Sequence, residues 1–158
     1  MWFFYRPDAA SALEDPGVLK ALPRYVDIVK NRKLAKFKIA RMIGIEEIPT
    51  ENLKELWEIH KKAMDEYQRL ERLLDYGKIK PSELPNFSLL HLKSAIADKL
   101  LESCILCEHR CKKDRSRGNL GYCKVGKEMF VSSYFDHVGE EPEIVPSFTV
   151  CGRVDRPN

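Results

Sequence analysis

Apolar and aromatic side chains recur mostly three or four residues apart at Leu53, Leu56, Trp57, Ala63, Met64, Tyr67, Leu70 and Leu74. Residues at that spacing share one face of an α-helix, so the pattern predicts a long amphipathic helix over 51–76. Thr50, after Pro49, offers an N-cap hydroxyl, and Gly77 suits the left-handed position just past a helix end. Such a stripe is a packing surface, and neither Trp57 nor Met64 is given a cofactor role. Weaker patterns flank it. Asp8 is placed to cap a short helix over 9–14, stopped by Asp15, Pro16 and Gly17. Val26, Val29, Phe37, Ala40 and Ile43 mark a stripe within 18–43, where Pro23 is expected to break the run and start a new helix. Two prolines make 78–85 a linker. Leu89, Leu92, Ile96 and Leu100 predict a final helix over 88–102, which ends almost at Cys104.

Beyond residue 102 the helical period disappears. Gly118 and Gly121 mark a stretch of loop and turn over 115–121. Residues 129–135 read as a strand, and 140–146, with Pro142 and Pro146, as extended or turn-like chain. The expected fold is therefore mainly α. A helical N-terminal domain over 1–102 precedes a small module with short β-strands over 103–150 and a C-terminal tail over 151–158.

Composition adds a compartment and a charge pattern. The chain has 158 residues, 44% of them apolar, and a single Gln, Gln68, amid many Lys, Glu and Arg, a balance that leans toward a thermophile. No run approaches the roughly 18 apolar residues of a membrane helix. The apolar start, Met1 to Tyr5, is cut by Arg6, Pro7 and Asp8 and lacks the form of a signal peptide. The expectation is a cytoplasmic protein with no membrane contact. Residues 101–128 hold seven Lys or Arg against four Asp or Glu, which accounts for the whole net charge of +3.

That basic stretch contains Cys104-x2-Cys107-x3-Cys111-x11-Cys123. Four thiols within twenty residues exceed what packing needs. In a reducing compartment such clusters are more often metal ligands than disulfides, although two disulfides remain the alternative in a hyperthermophile. Four thiolates can close a tetrahedral Zn²⁺ shell or hold an iron–sulfur cluster. Zinc sites more often use two separated pairs, whereas three crowded cysteines and a distant fourth stand nearer to an iron–sulfur run, so both cofactors stay open. The expected ligands are Cys104, Cys107, Cys111 and Cys123. Arg110, Lys112 and Arg115 would offset the negative charge of the thiolates and favour their deprotonation. His109 could replace one cysteine, but a place beside the site or on the surface suits it better. His60 reads as a packed histidine, and Cys151 as a small hydrophobe or free thiol.

The elements Cys104-x2-Cys107-x3-Cys111, Asp114-Arg115, Gly118 to Cys123, the strand that follows, Glu140-Glu141-Pro142 and Pro146 to Val150 resemble one family in particular. They are similar to the N-terminal part of radical-SAM proteins related to pyruvate formate-lyase activating enzyme. The resemblance spans 104–150 and leaves the helical first hundred residues unexplained. It implies an accessory metal module whose partner is a radical-SAM catalytic domain or protein. S-adenosylmethionine would bind only in full-length relatives, because the catalytic Cys-x3-Cys-x2-Cys triplet does not occur here and the chain given ends at Asn158. The expected function is metal binding without activity of its own, and no catalytic residue is assigned. Two alternatives stand beside it. One is a basic zinc module that binds nucleic acid, disfavoured by a pI of only about 8.5. The other is an interaction scaffold presenting the long amphipathic helix.

Overall fold

The computed structural model describes residues 4–49, 52–81, 83–128, 130–145 and 147–153. The expected cap Thr50, Met129 at the start of the expected strand and the last five residues lie outside them. The chain is mainly helical and divides into two compact units, Lys33–Lys127 and the combination of Met1–Arg32 with Glu128–Asn158. The 102/103 boundary expected from the sequence falls inside the first of these.

The Lys33–Lys127 unit is built on α4 (Lys36–Met42), α5 (Leu53–Asp75) and α6 (Leu89–Leu101). Asn52 caps α5, its side-chain oxygen accepting from the amides of Lys54 at 3.0 Å and Glu55 at 3.4 Å. Gly77 ends it in the left-handed region at φ 65°. There the Gly77 and Lys78 amides donate to the carbonyls of Leu74 (3.0 Å) and Leu73 (2.9 Å), the two bonds of a Schellman cap. Ser88 and His91 form a reciprocal cap on α6, with the Ser88 amide donating to His91 Nδ1 at 3.0 Å. Leu56, Leu89 and Leu92 are fully buried with Ile39, and Ala40, Ile43, Ala63, Tyr67 and Ile96 complete the core. Burying each large aliphatic contributes about 1.5–3 kcal/mol. A short backbone pairing adds to this, with Ile45 N donating to Phe87 O and Leu89 N to Ile43 O, both at 3.0 Å. Trp57 and Phe37, counted in the apolar stripes, are instead exposed.

The other unit begins with three short helices, α1 (Pro7–Ala12), α2 (Pro16–Ala21) and α3 (Pro23–Val29), each with proline in its first turn. Asp8 does not cap α1. Pro7, with φ already helical, starts the helix two residues sooner, and Asp8 sits in the first turn, paired with Arg6 at 2.8 Å. Asp15 is the true cap, accepting from Gly17 N and Val18 N, so the Asp15-Pro16-Gly17 sequence stops one helix and starts the next. Pro23 breaks the run as expected. A second break follows at Asn31, whose φ of 55° ends the α3 turn. Strands β1 (Phe130–His137) and β2 (Ser147–Arg153) form an antiparallel pair, with Tyr134 opposite Val150 and an irregularity between Val131 and Ser133. A 3₁₀ turn over Pro142–Ile144 lies between them, and Arg6 Nη1 donates to the carbonyls of Val138 and Glu140. Cys151, expected in the tail, is part of β2. Among the described residues no helix is long and apolar enough to cross a membrane.

Candidate metal centre

From 102 to 127 the chain has neither helix nor strand, and its buried residues are Cys104 and Gly121. Its shape comes from backbone turns. The Arg115 amide donates to the last α6 carbonyl, Leu101 O, at 2.8 Å. Cys104 N donates to Lys113 O (3.1 Å) and Lys112 N to Cys104 O (2.9 Å), which holds Cys104 against the strip that follows Cys111. Arg110 N to Cys107 O (3.0 Å) closes the turn after Cys107. Lys124 N to Gly121 O (3.0 Å) and Gly121 N to Val125 O (3.1 Å) close a second turn around Cys123. Between the two turns, Asp114 organises the loop. Its carboxylate accepts from Ser116 N at 3.1 Å and its carbonyl from Asn119 Nδ2 at 2.8 Å.

Three basic residues in these turns take left-handed backbone angles, Arg110 at φ 39°, Lys112 at 52° and Lys124 at 61°. Each directly adjoins a cysteine in sequence. A non-glycine residue in that region costs of order 1–3 kcal/mol and persists where its surroundings require it. At Lys112 the sharp reversal turns the following amide, that of Lys113, toward sulfur. The amides of Lys113 and Tyr122 donate to Cys111, and these two bonds, with a smaller contribution from the Cys104 side chain, hold the Cys111 thiol below its ordinary pKa against a partial desolvation. Cys104 and Cys111 are thus brought together. The amide of Tyr122 ties the Cys123 turn to the same sulfur. Arg115 completes the arrangement. Its Nη1 lies 3.5 Å from Cys104 Sγ, while Nε (2.9 Å) and Nη2 (2.5 Å) both donate to Gly126 O. A Cβ at Gly121 would stand 3.3 Å from Cys123 Sγ, so this buried glycine leaves room for the sulfur.

Cys107 and Cys123 are exposed, and all five cysteines are free thiols. Among the described residues no three His, Cys, Asp or Glu side chains are gathered closely enough to make a complete cation cage. The donor set nonetheless has the chemistry of a soft-metal site: thiols rather than carboxylates, one with amides on its sulfur and one beside a guanidinium. Of the three cations expected to offset thiolate charge, Arg115 touches a sulfur. Arg110 and Lys112 are exposed. The His109 ring lies against the Tyr122 ring, centroids 3.7 Å apart and planes at 31°. His60 packs edge-on to Trp57, and burial, then the charge of Lys93, lowers its pKa. Cys151 pairs across the β-ladder with Ser133 and belongs to the other unit. The contributions of Gly121 and the Tyr122 amide were not read from the sequence, although a Gly-x-Cys step was the signal available for them.

No protein-family model matches the chain, and no solved structure matches it. Over 137 residues it is 39% identical to an uncharacterized protein of the thermophilic archaeon Methanocaldococcus jannaschii. The match covers 83% of this chain and 37% of that protein, so the chain spans little more than a third of its relative's length.

Proposed function

We propose that the chain is a metal-binding accessory module of the radical-SAM activase type, with Cys104, Cys107, Cys111 and Cys123 holding one iron–sulfur cluster or one Zn²⁺. One observation carries the reading. The stretch that contains all four cysteines has almost no buried apolar surface and no regular secondary structure, yet it adopts tight, strained turns whose amides face sulfur. A segment of that kind is usually held by a cross-link at its centre, and a metal on four thiolates supplies one. The resemblance at 104–150 supports the radical-SAM setting. The greater length of the archaeal relative agrees with a module carried on a longer chain. The chain supplies ligands and positioning rather than catalysis, and S-adenosylmethionine chemistry belongs to a catalytic partner.

The deciding experiment is a metal and sulfide assay with an absorption spectrum on protein purified without oxygen. About four irons with broad absorption near ~400 nm identify an iron–sulfur cluster. About one zinc in a colourless protein identifies a structural zinc site. Metal-free protein that keeps its turns, or a Cys104→Ser, Cys111→Ser variant with an unchanged metal content, would end the reading. Cleavage of S-adenosylmethionine by this chain alone would end the accessory assignment.

A specific observation favours a second reading as a single-stranded nucleic-acid module. Tyr122 is 66% exposed with His109 stacked against it, amid the exposed Arg110, Lys112, Lys113 and Lys124. Stacking rings among cations suit single strands. Binding that weakens steeply with salt would support it, and no binding to single-stranded RNA at low salt would remove it.

A further inference from the structure

Helix α4 turns Ile39, Ala40 and Ile43 into the core and leaves its other face outward. There Phe37, Lys38, Arg41 and Met42, with Pro81 and Leu84 of the linker, bound a cavity of about 240 Å³. Phe37 and Leu84 are 55% and 54% exposed. Single apolar side chains on a surface need no explanation, but these face one concavity.

The charged groups on the wall are both cations. Lys38 and Arg41 stand three residues apart on α4, so they are neighbours on its surface and repel one another. Among the described residues no carboxylate lines the cavity, and neither cation is found in an ion pair. An otherwise apolar lining that carries an uncompensated pair of cations is complementary to a single anionic head on an apolar tail. The planar fork of Arg41 suits a carboxylate in particular.

We infer that this groove binds a small carboxylic acid anion with an apolar tail, the tail against Phe37, Met42, Pro81 and Leu84 and the carboxylate on Arg41 and Lys38. Volume limits the size. At about 30 Å³ per water-sized group, the cavity of about 240 Å³ holds roughly eight non-hydrogen atoms, which corresponds to a carboxylate with a tail of about five carbons. The site shares no residue with the cysteine module and does not depend on its metal.

The test is a titration of the full ¹⁵N-labelled chain with hexanoate, hexanol and hexylamine, followed by amide shifts. Hexanoate should give saturable shifts confined to 34–42 and 81–84, and should bind roughly tenfold more tightly than hexanol, with hexylamine weakest. In the Lys38→Gln, Arg41→Gln double variant, hexanoate should fall to the affinity of hexanol while hexanol is unchanged. Both side chains are exposed, so the variant folds. Absence of saturable shifts, shifts elsewhere in the chain, or equal binding of hexanoate and hexylamine would overturn the assignment.

Discussion

Removing the Arg115 guanidinium tests whether the cysteine module is organised around sulfur. Arg115→Gln deletes the contact from Nη1 to Cys104 Sγ and the paired donation to Gly126 O. It keeps the backbone bond from residue 115 to Leu101 O, so the junction with α6 stays intact. Hydrogen bonds to charged groups contribute about 1.5–3 kcal/mol. Arg115 is half-buried, and solvent screening places the loss at the lower end, about 1.5–2 kcal/mol. At about 1.4 kcal/mol per factor of ten, metal affinity should fall roughly 10–30-fold. That lies within the 10–100-fold typical of groups that orient metal ligands. Arg115→Lys keeps the charge but not the fork and should fall between the two. The assay is competition for Zn²⁺ against a chromophoric chelator, with far-ultraviolet circular dichroism to confirm unchanged helices. If Arg115→Gln binds within a factor of two of the parent, the guanidinium is a surface group and the inferred coupling of the two cysteine turns is wrong. A parent chain that takes up no metal at all would instead count against the site itself.

Other expectations follow from single contacts. Leu56 is fully buried between helices, so Leu56→Ala should cost about 3–4 kcal/mol in urea unfolding, and a loss below about 1 kcal/mol would contradict the three-helix core. Asn52→Ala removes the α5 cap and should cost about 1 kcal/mol in the same measurement, against no change if another residue caps the helix. Gly121→Ala places a methyl 3.3 Å from Cys123 Sγ, and should weaken metal binding while leaving the melting of the helices unaltered. His60 should titrate below the usual imidazole value in a proton NMR series, and Lys93→Gln should raise it. Because its folded pKa is lowered, the neutral ring is the form the fold prefers. Its contribution to stability is complete above the unfolded value near 6.5 and is lost as pH falls through the folded one. A His60 pKa unmoved by Lys93→Gln would remove the charge contribution.

Much of the helical body was legible because its signals are local. Gly77 and Pro23 each act within one turn of chain and operate as read, and the 51–76 stripe gives the helix Leu53–Asp75 with Leu56, Ala63 and Tyr67 buried. The misreadings arose where two local signals compete. Asp8 and Pro7 both propose a helix start, and the proline prevails because its dihedral is already set. Trp57 and Phe37 fit the apolar period yet are exposed, since period alone does not say how wide a strip the neighbouring helices cover. His91 carried no signal because its partner is the Ser88 backbone amide, a contact that exists only once the cap forms. For the candidate site, spacing identified the four cysteines as a group. It could not anticipate left-handed angles at Arg110, Lys112 and Lys124, positions where the residue type argues against them.

Those angles are the strongest physical argument that the module is organised around sulfur. Basic residues have no intrinsic reason to adopt positive φ, and three of them within 110–124 represent several kcal/mol of local cost. Apolar burial cannot offset it, since Cys104 and Gly121 are the buried residues in the stretch. Hydrogen bonds to neutral thiols are weak and offset it only in part. Once a thiol ionises, the same amide donors and the Arg115 guanidinium become charge-assisted partners and strengthen together. The geometry is therefore matched to thiolates, and a thiolate at neutral pH is best stabilised by a cation bound directly to it. In its metal-free form the module should accordingly be the first part of the chain to exchange its amides with solvent, well before the α4–α6 core, and metal binding should slow that exchange at Lys113 and Tyr122 most of all.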